Sequence, residues 1–269
     1  MSEIKYNLKH PAIRYHGGKW RLAPWIISFF KEHRCYVEPF GGAAGVLLRK
    51  PRSYAEVYND LDGEIVNLFR VLQNEEQCKR LQELCILTPY HREEFLLAYE
   101  PALDPIEMAR RTVVRACMGF GSAGATKQTM GFRIDSKREY SLASHLWTRF
   151  PANIACVGER FAGVIIENRP AIQVMQHHDE KNTLHYVDPP YLHSTRKMGN
   201  RAYSFEMSDQ DHIELLTAVK QLKGMVVISG YNSELYNDML KDWSKHTKQA
   251  QVSAYRGTGI RTECIWINY

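Results

Sequence analysis

The chain has 269 residues, of which 44% are hydrophobic and 24% charged, as in ordinary globular proteins. It has no apolar run near the ~18 residues of a membrane span and no apolar secretory signal, so we expect a soluble, cytoplasmic protein without membrane contact. Its six cysteines form no Cys-x-x-Cys pair, which argues against a zinc site or a redox dithiol.

The net charge of +5 comes from one segment. Residues 107–150 carry eight basic and three acidic residues (8 − 3 = 5), whereas the stretches on either side are balanced. A basic segment on an otherwise neutral chain suits a phosphate backbone. A solvated protein face would have the same composition, so charge alone does not decide between them.

The first elements alternate between strand and helix. Residues 35–40 read as a buried strand that runs into the glycine-rich turn 41–45 and an apolar helix start at 46–48. A second strand, 54–58, ends at Asn59-Asp60, and residues 63–73 have helical spacing of apolar side chains. This order is the opening of an open α/β sheet.

The middle of the chain interrupts this alternation. Helical patches at 76–86, 91–99 and 106–117 lead into a stretch rich in glycine, serine and threonine. Strand patterns return at 163–167, 183–187 and 225–229, helices are predicted at 209–222 and 233–243, and strands at 249–255 and 262–268 are joined by a turn at 256–259. We predict one α/β domain (1–74 and 156–269) with an inserted, mainly helical domain (75–155).

Four residues resemble a metal cluster in the sequence: His177, His178, Asp179 and His185. Adjacent histidines point in different directions on either a helix or a strand. We therefore expect surface residues at a helix end, and no metal site.

The glycine turn Glu38-Pro-Phe-Gly-Gly-Ala-Ala-Gly45 follows the first strand. Glycines there let a ligand approach the backbone closely. Asp60, about 20 residues further on, is where doubly wound folds place a carboxylate for ribose hydroxyls. The pair indicates an adenosine-containing cofactor, although a purely structural turn would also account for the glycines.

Asp188-Pro-Pro-Tyr191 follows the strand 183–187, at the edge where open sheets hold their ligands. Two prolines hold their φ angles nearly fixed and leave a rigid row of carbonyl acceptors. The aspartate adds a charged acceptor and the tyrosine an aromatic face. This arrangement suits a planar group that bears an NH₂, whereas the plainer alternative is a strand ended by prolines.

In these motifs and their order, the chain resembles the Dam-type family of DNA adenine-N6 methyltransferases, its phage and prophage members in particular. The matching segments cover nearly the whole chain: Arg14-Tyr-His-Gly-Gly-Lys19, Val37-Glu-Pro-Phe-Gly-Gly42, Asn59-Asp60, Asp188-Pro-Pro-Tyr191, Ile228-Ser-Gly-Tyr-Asn232 and Arg261-Thr-Glu-Cys-Ile-Trp-Ile-Asn268.

The resemblance implies a Rossmann-like class I methyltransferase sheet and S-adenosylmethionine as cofactor. By resemblance, the cofactor-binding residues are Tyr15, Lys19, Glu38, Pro39, Phe40, Gly41, Asp60 and Asp188. This sequence departs from the family at two places. Many relatives have tryptophan where Tyr15 stands, and Glu167-Asn-Arg-Pro170 occupies a region where some relatives have an acidic residue that contacts the cofactor adenine.

For catalysis we expect Asp188, Pro189, Pro190 and Tyr191 to act on an adenine flipped out of double-stranded DNA. Asp188 and the Pro189 carbonyl would accept the two N6 hydrogens, and Tyr191 would stack on the base. The predicted contacts to DNA are basic side chains of the insertion and of the 192–208 loop: Arg110, Arg111, Arg115, Lys127, Arg133, Lys137, Arg138, Arg196, Lys197 and Arg201.

Other functions remain open on the sequence alone. A methyltransferase acting on an amino or amide group of RNA, protein or a small molecule would use the same motif, although the basic insertion and the aspartate in place of an asparagine favour adenine. A DNA-binding relative without activity is a second alternative, against which Lys19, Asp60 and Asp188 speak. A nicotinamide oxidoreductase is least supported, because the glycine turn departs from G-x-G-x-x-G.

Overall fold

The computed structural model describes residues 8–121, 130–134, 142–195, 204–254 and 257–269. The chain divides into two compact units, each assembled from separate segments. The first unit contains Met1–Trp20, Gly42–Arg49 and Asp62–Ile166, and the second contains Arg21–Gly41, Lys50–Leu61 and Glu167–Tyr269.

The described residues form a sheet of seven strands in the order β3-β2-β1-β4-β5-β7-β6. β1 pairs in parallel with both β2 and β4, β4 pairs in parallel with β5, and β7 is antiparallel to β5 and β6. The strands are β1 (Cys35–Glu38), β2 (Ala55–Asn59), β3 (Ile165–Glu167), β4 (Thr183–Val187), β5 (Met225–Tyr231), β6 (Ser244–Ala254) and β7 (Gly257–Ile267).

The strand order reverses between β1 and β4, so a crevice is expected outside the carboxyl ends of these two strands, where open sheets bind ligands. The predicted Rossmann-like α/β fold is confirmed.

The two faces of the sheet differ in chemistry. On one face, Val187, Ile228 and Trp266 pack in an apolar core with leucines of the helix α8 (Asp209–Val219). Because side chains alternate along a strand, Tyr36 and Tyr186 lie on the other face, and the Phe30 ring contacts both at 5.9 and 6.1 Å between centroids. That second face also carries the buried carboxylates Glu38 and Glu56, whereas the buried polar side chains of the first face include His185.

Short helices complete the second unit. They are α1 (Ala23–Ile27), α7 (Ala171–His177), α8 and α9 (Glu234–Met239), with a 3₁₀ turn at His193–Thr195. α8 begins at a capping box, in which Ser208 accepts from the Asp211 amide while the Asp211 carboxylate accepts from the Ser208 amide.

The first unit is helical in its described part, with α2 (Gly63–Gln73), α3 (Glu75–Leu87), α4 (Arg92–Leu97), α5 (Pro105–Met118) and α6 (Ala143–Phe161). Side chains of Asp62, Asn74 and Asp104 cap the starts of α2, α3 and α5. Phe69 of α2 stacks on Phe161 of α6 with centroids 4.4 Å apart. The predicted division into an α/β domain (1–74, 156–269) and an inserted domain (75–155) stays a prediction, because compactness alone does not say which residues bind DNA.

The structure corrects several predicted elements. The 19-residue α6 was not predicted, because Pro151 lies inside it and reads as a helix breaker. The helix start at 46–48 is a series of turns with one helical bond, from the Leu48 amide to the Ala44 carbonyl. The predicted turn at 256–259 is too long, since Gly257–Gly259 already pair with β6.

The prediction of a surface position is wrong for His185. Its side chain is fully buried in β4, where Nε2 lies 3.2 Å from Asp179 Oδ1. Asp179 also accepts hydrogen bonds from the amides of Lys223 and Gly224. His177 does end a helix, α7, and is exposed as predicted.

No helix within the described ranges combines the length and apolar character needed to cross a membrane.

Stability should fall when the pH is lowered from about 7 to about 5. Burial lowers the pKa of His185 from its ordinary 6.5 to about 4, although the nearby Asp179 carboxylate acts to raise it. The unfolded chain therefore binds a proton in a pH range where the folded chain does not, which destabilises the fold by about 2 kcal/mol over this range. Burial also lowers the pKa of His178, which adds an effect of the same sign.

Chemical denaturation at several pH values measures this effect. We expect His185→Gln to reduce the pH dependence of the unfolding free energy, whereas His145→Gln, at an exposed position, leaves it unchanged. Equal pH slopes in the wild type and in His185→Gln would contradict the assignment.

Candidate active site

Glu38 ends β1 as a buried carboxylate with a defined partner. It is 2% exposed and accepts a hydrogen bond of 2.7 Å from the Tyr36 hydroxyl. Burial, followed by the charge of Glu38, raises the pKa of Tyr36, so the hydroxyl stays protonated and donates. The Lys50 ammonium lies 4.6 Å from the centre of the Tyr36 ring and is paired with Glu56 at 2.7 Å. The Glu38 carboxylate is therefore held by Tyr36, whose ring in turn contacts the buried Lys50–Glu56 ion pair.

Gly41 leaves β1 in a position where only glycine fits. A Cβ there would lie 2.1 Å from Cε2 of the Tyr58 ring. The Gly41 amide donates a 2.7 Å hydrogen bond to the Asn59 carbonyl, which ties the turn to the end of β2. Pro39 is buried, whereas Phe40 is half-buried beside this turn.

Asn59 joins three segments of the second unit. Its side-chain amide donates to the carbonyls of Pro39 (2.8 Å) and Arg169 (3.0 Å) and accepts from the Arg169 amide (2.9 Å). The neighbouring Asn168 donates to the Asp60 carbonyl at 2.7 Å. The loop after β3 is thus fixed against Asn59-Asp60, and the Asp60 side chain remains half-buried at the end of β2.

The sequence did not predict this fixation, because Asn59 and Arg169 are 110 residues apart and an asparagine alone carries no signal of a distant backbone partner.

The Asp188-Pro-Pro-Tyr191 motif follows β4 directly, as predicted. Asp188 and Pro190 are half-buried, and Pro189 and Tyr191 are buried. Register places Val37 of β1 beside His185 of β4, so Glu38 and Asp188 leave neighbouring strands at the same edge of the sheet. The two carboxylates therefore belong to one edge of the second unit.

Tyr191 is held through its hydroxyl and through its ring. Its hydroxyl donates a 2.8 Å hydrogen bond to Glu263 Oε2, and its ring meets that of Tyr231 edge to face, with centroids 4.6 Å apart. Burial, then the charges of Asp188 and Glu263, raises the pKa of Tyr191, so it remains a neutral donor. A shallow hollow beside this ring is lined by Tyr191, Leu192, Thr195, Gly230, Tyr231 and Tyr236.

In the first unit, the predicted cofactor residues Tyr15 and Lys19 are next to the continuation of the glycine turn. Gly42 has a φ of +46°, and a Cβ there would lie 2.8 Å from Cε1 of Tyr15. Ala44 also has a positive φ, 53°, which costs an alanine backbone strain. Lys19 is 6% exposed and donates from Nζ to the Gly17 carbonyl at 2.8 Å.

Three arginines predicted to contact DNA are instead engaged on α5. Arg110 is 8% exposed and pairs with Glu107 at 2.6 Å and Glu94 at 2.9 Å. Arg111 pairs with Glu107 at 2.7 Å and also donates to two backbone carbonyls. Arg115 is 3% exposed and pairs with Glu64.

These contacts engage all three guanidinium groups within the protein, and those of Arg110 and Arg115 are also buried, which leaves them poorly presented to a phosphate. We do not include them among the DNA contacts proposed below.

The structure describes only one of the other seven basic residues predicted to contact DNA. Arg133 is half-buried, and its main chain joins Met118 and the Tyr90 hydroxyl. Six lie outside the described residues, namely Lys127, Lys137, Arg138, Arg196, Lys197 and Arg201.

In the part of the chain that the structure describes, no group of three or more His, Cys, Asp or Glu side chains could hold a metal ion.

The sheet order and the acidic proline motif at its ligand-binding edge define a Rossmann-like methyltransferase. The family model of the D12 class N6 adenine-specific DNA methyltransferases matches residues 15–254, and the chain belongs to this family. A search of curated proteins gives no match. The family resemblance predicted from the motifs is confirmed.

Replacing Gly41 should disrupt the turn. Gly41→Ala places a methyl group that overlaps atoms of the Tyr58 ring, so we expect a loss of about 3 kcal/mol in unfolding free energy. Gly63→Ala is the matched control, because a Cβ at this first residue of α2 meets nothing within 4 Å and alanine favours a helix. Chemical denaturation measures both, and equal stability of the two variants would contradict the packing described.

Replacing Arg110 should cost stability rather than DNA affinity. Arg110→Gln removes the buried guanidinium from Glu94 and leaves Glu107 with Arg111 alone, for which we expect a loss of about 2 kcal/mol. Arg80→Gln is the control, since it breaks an exposed pair with Glu83 on α3 and should change stability little. A weaker salt dependence of DNA binding in Arg110→Gln, with stability unchanged, would show a phosphate contact instead.

Proposed function

We propose that this protein transfers a methyl group from S-adenosylmethionine to N6 of an adenine flipped out of duplex DNA. The observation that carries this proposal is the position of Asp188-Pro-Pro-Tyr191 at the carboxyl end of β4, beside the reversal of strand order, in a chain of an adenine-N6 family. Membership of this family also disfavours an RNA or protein substrate.

The residues at this edge fit the cofactor. Asp60 supplies a half-buried carboxylate for the ribose hydroxyls, while the adjacent Asn59 is committed to the backbone. Glu38 supplies a buried carboxylate with one oxygen fixed by Tyr36. When bound, S-adenosylmethionine supplies a methyl group already activated by the sulfonium charge. We assign its binding to Glu38, Pro39, Phe40, Gly41, Asp60 and Asp188 of the second unit, and Tyr15 and Lys19 stay predictions from the family resemblance.

Asp188 and Pro189 address the poor nucleophilicity of the target nitrogen. The lone pair of adenine N6 is delocalised into the ring, so it must be localised before it can accept a methyl group. The Asp188 carboxylate and the Pro189 carbonyl accept the two N6 hydrogens, which favours a tetrahedral nitrogen. The same carboxylate stabilises the positive charge that develops on N6 in a site with little water.

Tyr191 stacks on the flipped base. Extruding a base costs a few kcal/mol, and stacking on an aromatic ring returns about 1–3 kcal/mol. Contacts to the DNA backbone supply the rest. We propose Lys127, Arg133, Lys137, Arg138, Arg196, Lys197 and Arg201 for them, with sequence recognition assigned to residues 75–155.

Asp188→Ala should abolish methyl transfer, by at least about a hundredfold, because it removes the charged acceptor that stabilises the transition state. Binding of labelled S-adenosylmethionine should stay within a fewfold of the wild type, because its other assigned residues are intact. A methylation assay on duplex DNA and equilibrium cofactor binding measure the two effects.

Asp242→Ala, at an exposed position, is the control and should retain full activity. Normal turnover by Asp188→Ala would refute the role given to the carboxylate.

A further inference from the structure

The last motif of the sequence, Arg261 to Asn268, has residues with clear structural roles. Cys264 and Trp266 on β7 are buried in the apolar core beneath α8. Asn268 accepts from the Val226 amide at 2.8 Å and donates to the Gly224 carbonyl at 3.0 Å, which fastens the end of the chain to the start of β5. Glu263 has no such role in the apolar core, since it lies on the opposite face of the sheet.

Glu263 is a buried carboxylate next to the proposed base pocket. It is 6% exposed and is paired in register with Tyr231 at the carboxyl end of β5. Its Oε2 accepts the 2.8 Å hydrogen bond from Tyr191, 72 residues away in the chain. Burying a charged group destabilises the fold, whereas an apolar residue at this strand position would not have that free-energy cost. The carboxylate is therefore better explained by its partner than by packing.

The contact restricts the ring that we assign to stacking. A tyrosine ring whose hydroxyl makes no hydrogen bond can tilt about its side-chain bonds. Here Glu263 holds the hydroxyl, and the edge-to-face contact with Tyr231 restricts the ring further. Hydrogen bonds to a charged acceptor are among the stronger ones. Preorganised orientation of a group that touches the substrate contributes directly to rate.

We propose that Glu263 is a positioning residue that holds the Tyr191 ring, through its hydroxyl, in the orientation that stacks on the flipped adenine. This inference rests on the proposed function. It gives the segment from Arg261 to Asn268 a task in the reaction, although Glu263 itself touches no reacting atom.

The test first maps the methylated site of the wild-type enzyme by modification-sensitive sequencing, and a wild type that does not methylate adenine refutes the proposed function itself. A duplex with 2-aminopurine at the mapped adenine then reports stacking, because its fluorescence is quenched by an adjacent aromatic ring. Tyr191→Phe keeps the ring without the donor, Glu263→Met removes the acceptor at similar size, and Glu263→Gln retains an acceptor.

We expect Tyr191→Phe and Glu263→Met each to lower kcat by about tenfold or more, with KM for S-adenosylmethionine unchanged and a brighter 2-aminopurine complex. The double variant should be no slower than the slower single variant, because one contact is lost in each case. Glu263→Gln should recover part of the rate. Tyr186→Phe is the matched control, because it loses a 2.8 Å bond to Ser229 on the same face and should lower the melting temperature with kcat within about twofold.

Unchanged kcat and fluorescence in Tyr191→Phe and Glu263→Met would overturn the proposal, and so would losses that multiply in the double variant. Losses of kcat that only follow the folded fraction would also overturn it, since they would mark a purely structural bond. If Glu263→Met does not fold, Tyr191→Phe decides alone through the same two measurements.

Discussion

The parallel pairing of β4 with β1 is the constraint on which the candidate site depends. It reverses the strand order and brings the carboxyl ends of both strands to one edge, so that Glu38 and Asp188, 150 residues apart in sequence, leave neighbouring strands. Ligand sites at such reversals follow from topology, since the connecting segments diverge to opposite faces and leave a crevice. The antiparallel β7 adds to the same edge from the other direction and contributes Glu263 opposite Tyr231.

The face of the sheet that carries Tyr36 and Tyr186 holds several carboxylates although it is buried. Three of its carboxylates accept a hydrogen bond from a neighbouring side chain: Glu38 from Tyr36, Glu56 from Lys50 and Glu263 from Tyr191. Buried polar groups are tolerated when they are satisfied and are costly when they are not. The hydrogen bonds that stabilise these buried carboxylates also fix the orientation of the side chains that form them. A site that recognises a planar group requires such fixed orientations. Stability and positioning therefore come from one set of contacts.

The sequence predicted best what is local. The bounds of α2 and β4 were predicted to the residue, because apolar spacing and a proline stop are local signals. The Asp188 motif was placed correctly for the same reason.

What the sequence did not reveal depended on distant partners. Arg110 and Arg115 looked like surplus charge because Glu94, one of the two partners of Arg110, and Glu64, the partner of Arg115, lie outside the basic segment of residues 107–150. His185 looked exposed because nothing nearby in sequence reveals that β4 is covered on both faces, and the anchoring of the loop after β3 by Asn59 likewise carried no local signal.

We propose that this edge of the sheet directs a methyl group to N6 of adenine in DNA. The most direct test incubates the purified protein with methyl-labelled S-adenosylmethionine and an equal mixture of duplex DNA, RNA and protein, then identifies the labelled nucleosides by mass spectrometry. We expect label in N6-methyladenine of the DNA alone. Label in a methylated cytosine, or only in RNA or protein, would contradict it, as would the absence of any transfer by folded protein that binds the cofactor.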